Sequence, residues 1–231
     1  MFYLTIIVPV YNETNTILKI LNKISNIKIK KQIIIVDDGS TDGTREKLLK
    51  IKKKNFKLLF HRNNLGKGAA INTAQKYVRG RYVVIQDADL EYNPKDLVKL
   101  LEPLKKNKTS VVYGSRVLGK KRYAAKNFTS KIRIFFNHML TLISNFINNQ
   151  NLTDAHTCYK MFDSRIFKKI KLEEKGFAFC PEITTKIAKK KIKIIEISIS
   201  YKGRSFSEGK KISYLDGFEA LITLIKYRFF N

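Results

Sequence analysis

Five short apolar runs, three of them leading into polar or acidic residues and four of them followed by helical spacing, constrain this chain more than anything else in it. The runs are Leu4–Val8, Gln32–Val36, Phe56–Phe60, Tyr82–Gln86 and Ser110–Tyr113. They are rich in β-branched and aromatic residues, as strands buried on both faces of a sheet are. The first is read as ending at Pro9, which cannot donate to a ladder. A helix near Asn15–Ile27 sets Ile17, Ile20, Leu21 and Ile24 on one face. A second starts at Thr41 or Asp42, either a fitting N-cap, and reaches about Lys53. A third follows the turn Asn64–Gly68 through Ala69, Ala70, Ala74 and Tyr77, and a fourth spans Asp96–Lys106. Alternation of this kind with short connections implies an α/β fold: a parallel sheet, helices on both faces and right-handed crossovers.

In such a sheet ligands bind at the carboxyl ends of the strands. There the chain places Asp37 and Asp38, then Asp87, Asp89 and Glu91, then Ser115 and Arg116. The stretch YVVIQDADLEY is the most telling, because carboxylates that close together resist joint ionisation unless a cation joins them. A hard divalent ion, Mg²⁺ or Mn²⁺, takes oxygen ligands and commonly shares them with substrate phosphates. The stretch therefore reads as a metal–diphosphate site. Two glycine-based phosphate cradles are excluded. A P-loop needs glycine where His61 stands and Ser or Thr after Lys67, and the first strand's turn, PVYNE, has no glycine for a dinucleotide fingerprint.

Composition narrows the classes further. The 231 residues carry a formal charge of +27, with lysines scattered along the whole length. Phosphorylated substrates and anionic membrane surfaces both answer such a charge. No zinc-ligand spacing, aromatic RNA-binding motif or basic heptad region is present, so nucleic acid is not an expected partner. The opening MFYLTIIVPVYNE has no basic region before its apolar run, and no stretch reaches the length of a membrane span. Two cysteines, Cys158 and Cys180, are too few for a disulfide framework and point to a reducing, cytoplasmic setting. They read as core residues, and His61 and His156 as structural or surface residues rather than ligands.

TIIVPVYNE, IIIVDDGSTDGT, GKGAA, DADLEYNP and VVYGSR, in this order and spacing, resemble the GT-A-fold family 2 glycosyltransferases. TCYKMF, GFAFCPEITTKIAKK, ISISYKGRSFSEGKKI and the final DGFEALITLIKYR resemble the dolichyl-phosphate mannosyltransferase, or polyprenyl-phosphate hexosyltransferase, branch. The resemblance covers nearly the whole chain. It implies a single GT-A domain over residues 1–231, an α/β fold with a mostly parallel sheet, helices on both faces and amphipathic helices in the second half, divided into a nucleotide-sugar half (1–118) and an acceptor half (119–231). It implies base and ribose contacts from Pro9, Tyr11 and Glu13, and base contacts at Val36 and Asp38. Asp87, Ala88 and Asp89 match the diphosphate–metal motif, with Asp89 and Glu91 as metal ligands. Arg116 matches an arginine at the donor diphosphate, and Arg204 and Lys210 match a basic loop that closes over the phosphates. GDP-mannose and UDP-glucose are both compatible donors.

Asp154 stands about where relatives with sugar acceptors carry a general base. A phosphate acceptor needs less help, being largely dianionic at neutral pH; Asp154 would then position the acceptor. A lipid acceptor requires membrane contact, and two stretches offer it. Residues 127–149 set Phe128, Ile132, Phe135, Phe136, Met139, Leu140, Ile143, Phe146 and Ile147 at helical spacing beside Lys126, Lys131 and Arg133, and residues 212–230 repeat the pattern with Leu215, Phe218, Leu221, Ile222, Ile225, Phe229 and Phe230 beside Lys226 and Arg228. Packing of both as core helices, or a homodimer contact, is the alternative. Without a spanning helix, a peripheral enzyme on the cytoplasmic membrane face, or one working with a separate membrane subunit, is expected. Two rival readings keep other acceptors or no reaction: transfer to a sugar hydroxyl of a surface glycan, and a non-catalytic basic module that binds nucleic acid or membrane.

Overall fold

The structure, a computed structural model, describes residues 2–120, 128–204 and 214–230. Lys126 and Lys210 lie outside these, as does the side chain of Arg133. Seven strands form one sheet: β1 (Leu4–Val10), β2 (Lys31–Asp37), β3 (Phe56–Phe60), β4 (Tyr82–Ile85), β5 (Val111–Ser115), β6 (Lys160–Asp163) and β7 (Ile194–Ser198). Their order across the sheet is β3-β2-β1-β4-β6-β5-β7. The first five are the strands expected from the sequence, and β1, β2, β4 and β5 are buried throughout.

Two features differ from the expected sheet. Strand β1 runs through Pro9 to Val10. Its pairing with β4 ends at Ile7–Ile85, while Val10 still accepts the Asp38 N–H on the β2 side at 2.8 Å. Successive residues address opposite neighbours, so the donor that Pro9 lacks faces the side where β4 has already ended. The second difference is β6, antiparallel to both β4 and β5 and inserted between them. The sheet is therefore mostly parallel, as the GT-A resemblance implies. Because β6 runs backwards, the segment leading into it, residues 154–159, arrives at the carboxyl edge of the other strands.

The helices are α1 (Ile17–Ser25), α2 (Thr44–Leu49), α3 (Lys67–Gln75), α4 (Leu97–Lys105), α5 (Phe128–Asn148), α6 (Ser164–Lys169), α7 (Phe179–Lys189) and α8 (Tyr214–Ile225), with a π-helical turn at Lys226–Phe230. Helix α2 is shorter than expected. Asp42 does accept the Thr44 N–H at 3.0 Å, but Gly43 between them is left-handed, with φ of 89°, so the helix begins after it.

Helix α5 is inverted relative to an ordinary surface helix. Its buried side carries Thr141, Ser144 and Asn148, whereas Phe135, Phe136, Met139, Leu142 and Phe146 are exposed, Phe146 to 89%. Several polar groups of this helix are hydrogen-bonded. Asn148 donates to Thr185 Oγ1 on α7 at 3.1 Å, and Asn145 both donates to the Leu152 carbonyl and accepts its N–H, at 2.8 and 2.9 Å. Helix α8 packs beside α5 and exposes Phe218, Ile222 and Ile225, continued by Phe229 and Phe230. The core-helix alternative thus holds only for the inner faces. Among the described residues no helix is long and apolar enough to cross a membrane.

Candidate active site

The carboxyl edge of the sheet gathers nearly every residue singled out from the sequence. Pro9 pairs with Val36 across β1 and β2. Val36 is fully buried, so at this edge it offers its backbone rather than its side chain. Tyr11 is half-buried just beyond β1. Asp38 is buried and heavily engaged: its Oδ1 meets His61 Nδ1 at 2.7 Å and accepts the Leu65 N–H at 3.0 Å, and its Oδ2 accepts the Gly66 N–H at 2.8 Å. His61 also reaches Thr73 Oγ1 at 2.9 Å, which makes it a structural brace, as expected. Asp37 is tied to Arg45 at 2.6 Å.

Beyond β4 lies the acidic cluster. Asp87 pairs with Lys67 at 2.5 Å. Ala88 is buried, and Asp89 accepts the Glu91 N–H at 3.0 Å. Leu90, between the two expected metal ligands, has φ of 64°, a left-handed conformation that non-glycine residues rarely adopt. Glu91 accepts the Arg204 backbone N–H at 2.6 Å and the Tyr201 hydroxyl at 2.9 Å. The Arg204 guanidinium lies against Glu13 at 2.9 and 3.2 Å and against Asp89 at 3.4 Å. Among the described residues its buried Nε has no hydrogen-bond partner. Burial, then the neighbouring Asp87 and Glu91, pushes the Asp89 carboxyl up to about 7.

Arg116 follows β5 and meets Asp154, delivered by the antiparallel β6. The pair is bidentate, Nε to Oδ2 at 2.7 Å and Nη2 to Oδ1 at 2.8 Å, and the Arg116 backbone N–H adds a third bond at 3.0 Å. Burial alone would raise the Asp154 carboxyl, but the Arg116 charge and these bonds hold it below the ordinary carboxylate range. A general base works best with a pKa near the operating pH; the Asp154 carboxyl lies below that range, bound to the Arg116 guanidinium. Glu196 on β7 braces the same turn by accepting the N–H groups of Thr153 and Asp154 at 2.6 and 2.9 Å. Arg116 also stacks on the Tyr201 ring at 5.2 Å, so Asp154, Arg116, Tyr201, Glu91, Arg204 and Glu13 form one continuous chain of contacts.

Matched against families of known proteins, residues 5–171 fit the model described as glycosyl transferase family 2. The chain belongs to family 2 of the glycosyltransferases. It is 32% identical to a dolichyl-phosphate beta-glucosyltransferase of Saccharomyces cerevisiae over 86% of its own length and 66% of the yeast protein's. It is 26% identical to a UDP-N-acetylglucosamine–dolichyl-phosphate N-acetylglucosaminyltransferase of Methanococcus voltae, covering 95% of this chain and 94% of that one. In fold it is similar to glucosyl-3-phosphoglycerate synthase of Mycobacterium tuberculosis, solved with Mn²⁺, UDP and product, with a TM-score of 0.70, 15% identity, and 98% and 80% of the two chains covered.

The residues present fit a divalent ion in this glycosyltransferase. Among the described residues no three His, Cys, Asp or Glu side chains form a ready-made metal cage. A cation shared with a diphosphate needs only one or two carboxylates, the phosphates and water supplying the rest. Asp89 and Glu91 are two such oxygen donors, and the raised Asp89 carboxyl is a group that gains by meeting a cation.

Four residues were not picked out from the sequence. Lys67 lay inside a motif read as a turn, and its partner Asp87 is twenty positions away. Tyr201, Glu196 and Lys160 sit on or beside β6 and β7, strands not foreseen. Lys160 is fully buried, donating to the Ala155 carbonyl at 2.7 Å with the Tyr113 ring 3.9 Å away. Burial and Lys160 push the neighbouring His156 down to about 4, so it is neutral at physiological pH, and both cysteines are buried.

Proposed function

We propose that this glycosyltransferase moves a hexose, with inversion, from a nucleoside diphosphate sugar to a polyprenyl phosphate. The observation that carries the choice of acceptor is the Arg116–Asp154 pair. A sugar hydroxyl needs a carboxylate to take its proton, whereas here Asp154 is buried, bidentately bound and depressed in pKa. A phosphate monoester is already largely dianionic at neutral pH. The yeast and archaeal relatives, both named for dolichyl-phosphate acceptors, support the same class. They also favour glucose or a related sugar carried on UDP over mannose on GDP.

In this reading Asp154 fixes the Arg116 guanidinium so that its outer face meets the donor diphosphate. Arg204 supplies a second cation, and Glu13 with Tyr11 borders the nucleoside. A divalent cation on Asp89 and Glu91 would offset charge on the departing diphosphate. Calorimetric titration of UDP-glucose and GDP-mannose with Mn²⁺, and again with EDTA, tests the donor. Metal-dependent binding of UDP-glucose is expected; salt-sensitive binding of RNA with no donor binding would support the basic-module alternative instead.

The exposed aromatic faces of α5 and α8 dock on an anionic bilayer. Their apolar residues lie beside the exposed Lys131 and the half-exposed Lys226, on a chain of charge +27. Vesicle flotation should show binding to phosphatidylglycerol-containing vesicles, lost in a Phe135→Ser/Phe146→Ser variant of unchanged thermal stability. A shift to dimer in sedimentation, with no flotation, would assign the face to a second copy.

A further inference from the structure

The segment from Asp154 to Tyr159 runs along the carboxyl edge of the sheet before β6 begins at Lys160. Since β6 lies between β4 and β5, this segment joins the ends of those two strands. Asp154 grips Arg116 beyond β5, and the Cys158 thiol reaches the Ile85 carbonyl at the end of β4 at 3.8 Å. His156 and Thr157 stand between these two points. Most of the segment is tied down. The Ala155 N–H donates to Thr141 Oγ1 at 3.3 Å, and the Ala155 carbonyl accepts the Lys160 ammonium at 2.7 Å. The Cys158 N–H donates to the Tyr92 hydroxyl at 3.1 Å, and the Tyr159 hydroxyl donates to Gln86 at 2.6 Å. The two side chains in the middle are the exception. Among the described residues, His156 Nε2 and Thr157 Oγ1 are buried with no hydrogen-bond partner.

A buried polar atom left unpaired is destabilising, and folded proteins keep few of them. At a binding edge, the missing partner is a group that arrives with the ligand. The surroundings of His156 say what kind of group that is. The charges around it, Lys160, Asp154 and Arg116, are already engaged with one another or with the backbone. The ring is neutral at physiological pH, so it offers one N–H and one lone pair. That suits a hydroxyl, which both donates and accepts. The residue as a whole is half-buried, so a turn of the ring presents Nε2 at the surface. A diphosphate held between the Asp89 turn beyond β4 and Arg116 beyond β5 brings its hexose to the stretch that joins them. We propose that His156 is a specificity-determining residue whose Nε2 hydrogen-bonds one hydroxyl of the transferred hexose. The inference rests on the nucleotide-sugar reading above and names the side chain that reads the sugar.

The test is calorimetric binding to the full chain, with Mg²⁺, of UDP, UDP-glucose and the 2-, 3-, 4- and 6-deoxy analogues of UDP-glucose. One deoxy analogue should bind roughly 10- to 100-fold more weakly than UDP-glucose, because it leaves Nε2 without its partner. His156→Leu should hold that analogue and UDP-glucose within about threefold of each other, and should bind UDP within about twofold of the unmodified protein. Its thermal midpoint without donor should be no lower, since the atom removed has no partner to lose. A second arm needs no variant. The chain has three histidines, and His61 has both ring nitrogens bonded. With ¹⁵N-labelled histidine, UDP-glucose should shift the His156 Nε2 resonance, and UDP alone should leave it in place. Equal binding of UDP-glucose and every analogue by the unmodified protein would overturn the inference. So would a His156→Leu variant that discriminates as before, or a resonance that answers UDP and UDP-glucose alike. Parallel loss of UDP and UDP-glucose with a lowered midpoint would make His156 structural and overturn it too. If the unmodified protein takes up no UDP-glucose, the donor reading falls and this inference with it. Donor binding without discrimination among the hydroxyls defeats this inference alone.

Discussion

Replacing Asp89 by asparagine should make the metal-free protein more stable at neutral pH while abolishing turnover. The Asp89 carboxyl is raised from 3.8 to about 7 by burial first, then by Asp87 and Glu91. A raised carboxyl binds its proton more tightly in the folded than in the unfolded chain. Native stability therefore falls as pH climbs from about 4 to about 7, and above that stays lower by a fixed amount. The difference between 3.8 and about 7, at about 1.4 kcal/mol per pH unit, sets a ceiling of about 4 kcal/mol. Relaxation and the lost Arg204 contact at 3.4 Å oppose it, so a gain of about 1–2 kcal/mol is expected, or roughly 2–8 °C in Tm for a chain of this size. Thermal unfolding in EDTA between pH 4.5 and 8 reads it: the variant's advantage should grow with pH, reaching its plateau above 7. Mn²⁺ with UDP-glucose should stabilise the unmodified protein only. An Asp89→Asn variant that is less stable at pH 7.5, or offset equally at pH 4.5 and 7.5, would refute the reasoning.

Asp154→Asn should lower both stability and activity, because it strands the buried Arg116; breaking such a pair costs about 3–5 kcal/mol. The stability that Asp154 supplies is fully present above its unfolded pKa near 4 and is lost as pH falls through its lower folded value. Denaturant titration with parallel turnover measurements checks this; unchanged stability with lost turnover would restore Asp154 as a base. Gly68→Ala should destabilise by about 2 kcal/mol or more, since the added Cβ overlaps a backbone carbonyl that cannot swing aside. A midpoint within error of the unmodified protein would contradict the close packing of Gly68 on the Glu174 backbone.

The first half of the sheet was legible because strands buried on both faces leave unbroken apolar runs, and because their polar ends are local in sequence. The second half hid its strands. Strand β6 is four residues long and begins at Lys160, a charge whose burial is made tolerable by the Ala155 carbonyl and the Tyr113 ring. Strand β7 has Glu196 at its centre, turned to the 153–154 backbone. In both, a charged residue with a distant partner masks the pattern. The same limit applies to the site. The carboxylates and arginines could be named from their motifs, but pairings such as Lys67–Asp87, Tyr201–Glu91 and Arg116–Asp154 depend on crossovers that bring remote segments to one edge. Helix α5 shows the converse: its apolar periodicity was plain, yet which face it buries is set by the polar bonds to Leu152 and Thr185.

The most direct test of the central claim is transfer itself. The purified protein is incubated in detergent with radiolabelled UDP-glucose, Mn²⁺ and a polyprenyl phosphate, and label is followed into the organic phase. The account predicts an EDTA-sensitive glucosyl-phosphoryl lipid, absent with the dephosphorylated polyprenol. Label that stays with UDP in the presence of the lipid phosphate, but moves to a free sugar acceptor, would contradict it.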